Sequence, residues 1–405
     1  MPLHLPRNLG ERYSPLYFLA SLGAGGLSVT FFLYLMFWVP HPGQPVPVFE
    51  DILKALQTGG PATQAMIILA WAGIAYFSVT MIRLLVWNLL ELRAFRQTKA
   101  YETLRSGNAE TQLLAIPLAL AMAVNGGFIL GLVFVPGLWG IVEYLFPLAI
   151  LAFLAIGGWA LAMLGDFFGR VLTKGGFDCA KNNSFAQLLP AFALAMVGVG
   201  LAAPAAMSTL PLTAGISYIA STFFVVTATL LGAVKLILGF RAMMENGAHD
   251  EGAPTLLVAI PFITVVSIAV IRQMHGLHVH FDAHAETSAT FTLLTKLLVV
   301  QLAFGLLGLT VLRRQGYAGR FITGGEKSAG SYALVCPAVA LSVMLQFYIN
   351  KGLVAVDLIA KFSPAYWVLT VAAIGFQLTA IWLVARLNAK HFGTVGKGSL
   401  AVPAE

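Results

Sequence analysis

Four prolines recur along this chain, and each follows a hydroxyl residue by six positions: Thr111 and Pro117, Ser184 and Pro190, Thr255 and Pro261, Ser331 and Pro337. The intervals between the prolines are 73, 71 and 76 residues, and each interval holds two apolar stretches. Ser14-Pro15 opens a fifth, diverged copy. One proline in an apolar helix is ordinary. Four at the same offset, in alternate stretches, define an internal repeat whose unit is a helical hairpin.

The apolar stretches have the length of membrane spans. Of the 405 residues, 59% are hydrophobic and 10% charged, too few charges to cover a soluble surface. Ten stretches can cross a hydrocarbon core of about 30 Å: residues 15–39, 63–87, 111–136, 138–165, 185–206, 212–239, 254–272, 287–313, 329–350 and 365–387. The expected fold class is therefore an all-α membrane protein, with ten helices arranged as five repeated hairpins. The expected division is an N-terminal segment over 1–14, a membrane domain over 15–387 and a C-terminal tail over 388–405. The first fourteen residues are polar and the apolar run behind them is too long for a signal-peptide core, so 15–39 is expected to remain as the first span.

Charge gives the orientation. With ten spans, one side holds both termini and the loops after spans 2, 4, 6 and 8. Eighteen of the 24 Lys and Arg fall there, against Lys54, Arg272, Lys351 and Lys361 on the other side. The positive-inside rule puts both termini in the cytoplasm, as expected of a multi-pass protein of the inner cell membrane. The net charge of +7 is thus topological, and no nucleic-acid partner is expected.

Odd and even spans differ in kind. Odd spans carry the repeated proline and many small residues, as in PLALAMAVNGGF from Pro117. Even spans are bulkier. The hydroxyl residue suits an N-cap. A proline one or two turns inside removes a backbone hydrogen bond and bends the helix. A carbonyl freed in this way is tolerated only when buried in protein or facing water. The odd helices are therefore expected to form an inner layer around a central pore, kinked at Pro117, Pro190, Pro261 and Pro337, with the even helices facing lipid.

The odd spans contain no Asp, Glu, Lys, Arg or His until Arg272, read here as the outer end of span 7. Ion-coupled pumps carry such groups at mid-membrane, so passive permeation is the expected activity. Five helix starts pointing at one mouth supply positive dipole ends that favour anions. Polar pore contacts are expected from Asn125, Thr264, Ser267 and Ser342. Phe192, Phe262, Phe128 and Phe347 are the candidates for a hydrophobic gate. Small anions and the bilayer are the expected partners.

Other chemistry has weaker signals. His278, His280, Asp282 and His284 alternate in the loop after span 7 and make a weak metal-site candidate. They support an alternative reading as a membrane metal-binding protein or enzyme. No Walker A loop, nucleophile elbow or HExxH helix occurs. No catalytic residue, no enzyme activity and no cofactor are expected.

Two stretches carry a resemblance. APTLLVAIPFITVVSIAV, from Ala253 to Val270, is similar to the Pro-Thr-Leu opening of span 7 in the tellurite-resistance/dicarboxylate transporter family. SPLYFLASLGAGGLSV is similar to that family's glycine-rich first helix. The family includes TehA-type proteins, fungal malate carriers and plant slow-type anion channels. The resemblance implies five hairpins in quasi-fivefold order, a homotrimer, and a link to tellurite resistance. It also implies a gate at a position on span 9 that is Cys336 here, in place of the family's phenylalanine. It keeps a proton-coupled C4-dicarboxylate or sulfite exporter as the alternative to an anion channel.

Overall fold

The computed structural model describes residues 5–284 and 286–393, and the last twelve residues of the expected C-terminal tail lie outside them. The described residues are helical, with no strand. In chain order the α-helices are α1 (Phe18–Trp38), α2 (Phe49–Thr58), α3 (Pro61–Phe95), α4 (Lys99–Ser106), α5 (Ala115–Phe134), α6 (Val142–Lys174), α7 (Leu189–Met207), α8 (Pro211–Asn246), α9 (Ala259–His280), α10 (Thr287–Arg314), α11 (Val335–Phe347) and α12 (Pro364–Phe392). Short α2 and α4 lie in connections. The other ten, with their leading turns, are long and apolar enough to cross a membrane.

Burial sorts these ten into two layers. The most apolar windows of α1, α5, α7, α9 and α11 are 56% to 94% buried, and those of α3, α6, α8, α10 and α12 only 22% to 44%. Rows such as Leu302, Leu306 and Leu309 on α10 point outward, as lipid-facing surface should. The inner helices make a closed circuit of contacts: α1 packs on α5, α5 on α7, α7 on α9, α9 on α11, and α11 back on α1. Small residues permit the close approach. A Cβ on Gly23 or Gly26 of α1 would meet Val335 or Val339 of α11 at 2.7 and 2.8 Å, and one on Gly276 of α9 would run into the Ala205 carbonyl of α7.

Each inner helix begins with a 3₁₀ turn: Pro15–Tyr17, Asn108–Leu114, Phe185–Leu188, Ala253–Leu257 and Ala329–Leu334. These turns also contact one another around a full circuit. The repeated prolines follow, as the second or third residue of α5, α7, α9 and α11. A missing N–H costs little there, because first-turn amides have no partner within the helix. The expected N-cap role holds for Ser14 and Ser184, whose hydroxyls accept from Leu16 and Ala186. It does not hold for Thr111, Thr255 and Ser331, which lie inside their 3₁₀ turns.

Two of those three hydroxyls join neighbouring turns. Thr255 Oγ1 accepts from the Phe185 backbone N–H at 2.9 Å and donates to the Gly252 carbonyl at 2.5 Å. Thr111 Oγ1 accepts from the Gln187 amide at 2.9 Å. Ser331 pairs with the Tyr317 hydroxyl at 2.8 Å. Tyr17, before α1, and His391, in the last turn of α12, meet on this same side, with the Tyr17 hydroxyl 3.1 Å from His391 Nδ1.

Several helices outrun their expected spans. Helix α3 has 35 residues, about 52 Å at 1.5 Å per residue, and α9 continues eight residues past Arg272. Hydropathy marks the part that wants hydrocarbon, whereas Glu, Arg, Gln and Met continue a helix beyond it without penalty.

Candidate functional site

A cavity of about 620 Å³ occupies the centre of the inner circuit, and all five inner helices line it. Its residues nearest the 3₁₀ turns are Leu22, Met122, Phe192, Pro261 and Cys336, one from each inner helix. No residue of the five 3₁₀ turns lines it, so this end is a floor. The opposite end reaches the loop after α1 at His41 and Gln44, the start of α10 at Glu286 and Thr287, and Lys351 beyond α11. The cavity therefore opens away from the termini.

The wall is mainly apolar, with few polar groups. Thr264 carries the best-connected one: its hydroxyl lies 3.1 Å from the Ile260 carbonyl and 3.3 Å from that of Ala340, and accepts from the Gln301 amide at 2.6 Å. It ties α9 to α11 and α10. The Asn125 amide donates to the Ala121 carbonyl of its own helix at 3.0 Å.

Arg272 is the group the sequence placed wrongly. Expected at an outer helix end, it sits about two turns inside α9 and faces the cavity. Its Nη1 donates to the Val199 carbonyl of α7 at 3.0 Å. Among the described residues no carboxylate pairs with it. A guanidinium has five N–H donors, so most of its hydrogen-bonding capacity is uncommitted. His275, one turn farther along the same helix, also lines the cavity. The expectation that the inner layer lacks ionisable groups is corrected at these two residues.

The other expected site residues divide. Phe128, Phe192, Phe347, Cys336, Asn125, Thr264 and Pro261 line the cavity. Phe128 stacks on Phe146, with ring centres 6.5 Å apart, and Phe347 meets Phe37 edge-on at 5.5 Å. Phe262 points elsewhere: its ring covers Gly232 of α8, where a Cβ would lie 2.8 Å from the ring. It is a packing residue between inner and outer layers. Ser267 is buried and donates to the Ile263 carbonyl at 2.7 Å. Ser342 is buried as well, and neither serine lines the cavity. Pro117, Pro190 and Pro337 are also absent from its wall.

The histidine alternation does not converge. Helix α9 runs through His280, which puts His278 and His280 in its last turn and leaves Asp282 and His284 beyond it. His278 Nδ1 meets the Ala283 carbonyl at 2.9 Å, and His280 Nε2 meets the Ser208 carbonyl at 2.8 Å. Among the described residues no group of three or more His, Cys, Asp and Glu could hold a metal ion.

No protein-family model matches the chain, and no characterised protein matches it closely enough to count as a relative.

Proposed function

We propose that this protein is an anion channel or facilitator, a central pore enclosed by five helical hairpins that passes small inorganic or organic anions across the inner cell membrane. The observation that carries the reading is the Arg272 guanidinium, without a carboxylate partner among the described residues, in the wall of a cavity shared by all five inner helices. A cation held at membrane depth is expensive, and such groups mark ion and substrate paths. An anion entering the cavity sheds part of its hydration and meets the spare N–H donors of Arg272. Thr264 and Asn125 supply the polar contacts on the way. The floor at Leu22, Met122, Phe192, Pro261 and Cys336 is where the path narrows, and an apolar constriction gates by excluding water. The helix starts beyond the floor add positive dipole ends.

The family resemblance agrees with this reading. It extends it to a homotrimer and to a place in tellurite resistance, and the distribution of Lys and Arg supports cytoplasmic termini. One observation favours the runner-up, a proton-coupled dicarboxylate or sulfite exporter. His275 stands one turn from Arg272 in the same wall, and a histidine there can carry the proton that coupling needs.

Flux from liposomes loaded with chloride, nitrate, sulfite or succinate tests both readings, with and without a proton gradient. A channel gives anion flux that follows the anion gradient alone. A coupled carrier gives saturable flux that needs the proton gradient. Cation-selective flux, or none for any of these anions, rejects both.

A further inference from the structure

The mouth of the central cavity carries a second pocket of about 410 Å³, between the 39–45 loop and the segment from Asn350 to Lys361. Met36, His41, Gln44, Pro45 and Lys351 line both spaces, so the pocket is a side chamber of the mouth. Among the described residues its cationic groups are Lys351 and Lys361, and no carboxylate lines it. Among the described residues neither lysine forms an ion pair.

The backbone holds these lysines in place. Lys351 lies in a π-helical turn, Tyr348–Leu353. Lys361 lies between Asp357 and Phe362, which take left-handed conformations with φ of 57° and 64°. That conformation is strained for a bulky residue. It accompanies a fixed contact, with the Lys361 ammonium 5.1 Å from the centre of the Phe362 ring. Burial, and then the nearby Lys351 charge, push Lys361 below the usual lysine range. Two like charges are thus kept together with no counter-charge between them. Of the other three polar side chains, Asn350 and His41 are already committed, and Gln44 makes no side-chain hydrogen bond among the described residues. The Asn350 amide donates to the Gln346 carbonyl and its oxygen accepts from Tyr366. His41 Nδ1 meets the Val39 carbonyl at 2.7 Å. A carbonyl only accepts, so Nδ1 carries a proton in this contact.

We propose that this chamber captures a small doubly charged oxyanion between Lys351 and Lys361, and that Lys351, common to both spaces, hands it to Arg272. A monoanion offsets only one of the two ammonium charges, whereas a dianion with several oxygen acceptors offsets both. The hand-over rests on the anion-passage reading. Capture stands apart from it and is measured apart from it.

The test is sulfate titration of the purified full-length protein by calorimetry, in excess chloride. Saturable sulfate binding is expected, weakened roughly tenfold in Lys361→Ala and in Lys351→Ala and retained in Lys361→Arg. A second measurement uses the unaltered protein: sulfate should slow acylation of Lys351 and Lys361 by an amine reagent and leave the exposed Lys54 unaffected. Absence of saturable binding, wild-type affinity in both alanine variants, or equal acylation rates with and without sulfate would each overturn the proposal. Chloride flux from liposomes separates it from the passage reading. Lysine-dependent sulfate binding without any anion flux keeps capture and rejects passage. Flux without sulfate binding does the reverse.

Discussion

Arg272 on α9 donates to the Val199 carbonyl on α7, one residue before the Gly200 carbonyl that Pro204, which has no N–H, leaves without its helical donor. The bond fixes a cation beside an interrupted stretch of backbone and aims its remaining donors at the cavity.

Replacing Arg272 with glutamine keeps a donor for Val199 and removes the charge. Anion flux in liposomes is expected to fall roughly tenfold or more, since each factor of ten corresponds to about 1.4 kcal/mol of lost stabilisation, within the range of one charge-assisted hydrogen bond. Lysine at this position should restore part of the flux, because it keeps the charge and loses the planar fork. Unchanged flux in the glutamine variant would remove Arg272 from the path.

The two phenylalanines near the repeated prolines should behave in opposite ways. Phe192→Ala opens the floor and is expected to raise anion conductance with little change in ion preference. Phe262→Ala leaves a void over Gly232 and should lower stability by about 3 kcal/mol or more, without raising conductance. Thermal unfolding in detergent and single-channel recording distinguish the two. A conductance rise in Phe262→Ala alone would reverse the assignment.

At Thr255, valine keeps the shape and loses the hydroxyl. The Phe185 N–H is then buried without an acceptor, which costs about 1–3 kcal/mol. Serine should be nearly neutral. Hydrogen exchange at the Phe185 amide is a direct check, with faster exchange expected in the valine variant only.

On the side of the termini, Arg320 joins Asp250 at 2.8 Å and Glu326 at 2.9 Å. The Arg320 guanidinium holds the Glu326 carboxyl below its ordinary value of 4.5. A depressed carboxylate contributes stability that is complete above the unfolded value and is lost as pH falls through the folded one. The melting temperature of Arg320→Ala should therefore lie slightly below wild type near neutral pH and converge with it in acid. The neutral-pH gap is expected to be small because all three groups are exposed to solvent. A gap that persists in acid would mean the effect is not electrostatic.

Much of this architecture was legible in the sequence, for physical reasons that also mark where legibility ends. Ten spans and two layers follow from apolar length and from where small residues and prolines fall. Arg272 was misplaced because hydropathy drops at Arg-Gln-Met-His while the helix continues to His280. A central cavity shelters polar residues that a hydrocarbon criterion assigns to a loop. Phe192 and Phe262 were inseparable because the inner helices are apolar on every side. With no polar stripe to mark a direction, sequence cannot tell a cavity-facing ring from one packed on Gly232. The cap assignment failed at Thr111, Thr255 and Ser331 because a hydroxyl six residues before a proline fits a 3₁₀ turn as well as an N-cap.

The chain has two cysteines, Cys179, exposed in the α6–α7 connection, and Cys336, buried at the cavity floor. They form a native depth gauge. Thiol reagents of graded size, applied from one face at a time to the unmodified protein, would give the width of the cavity above Cys336, with Cys179 reporting which face was treated.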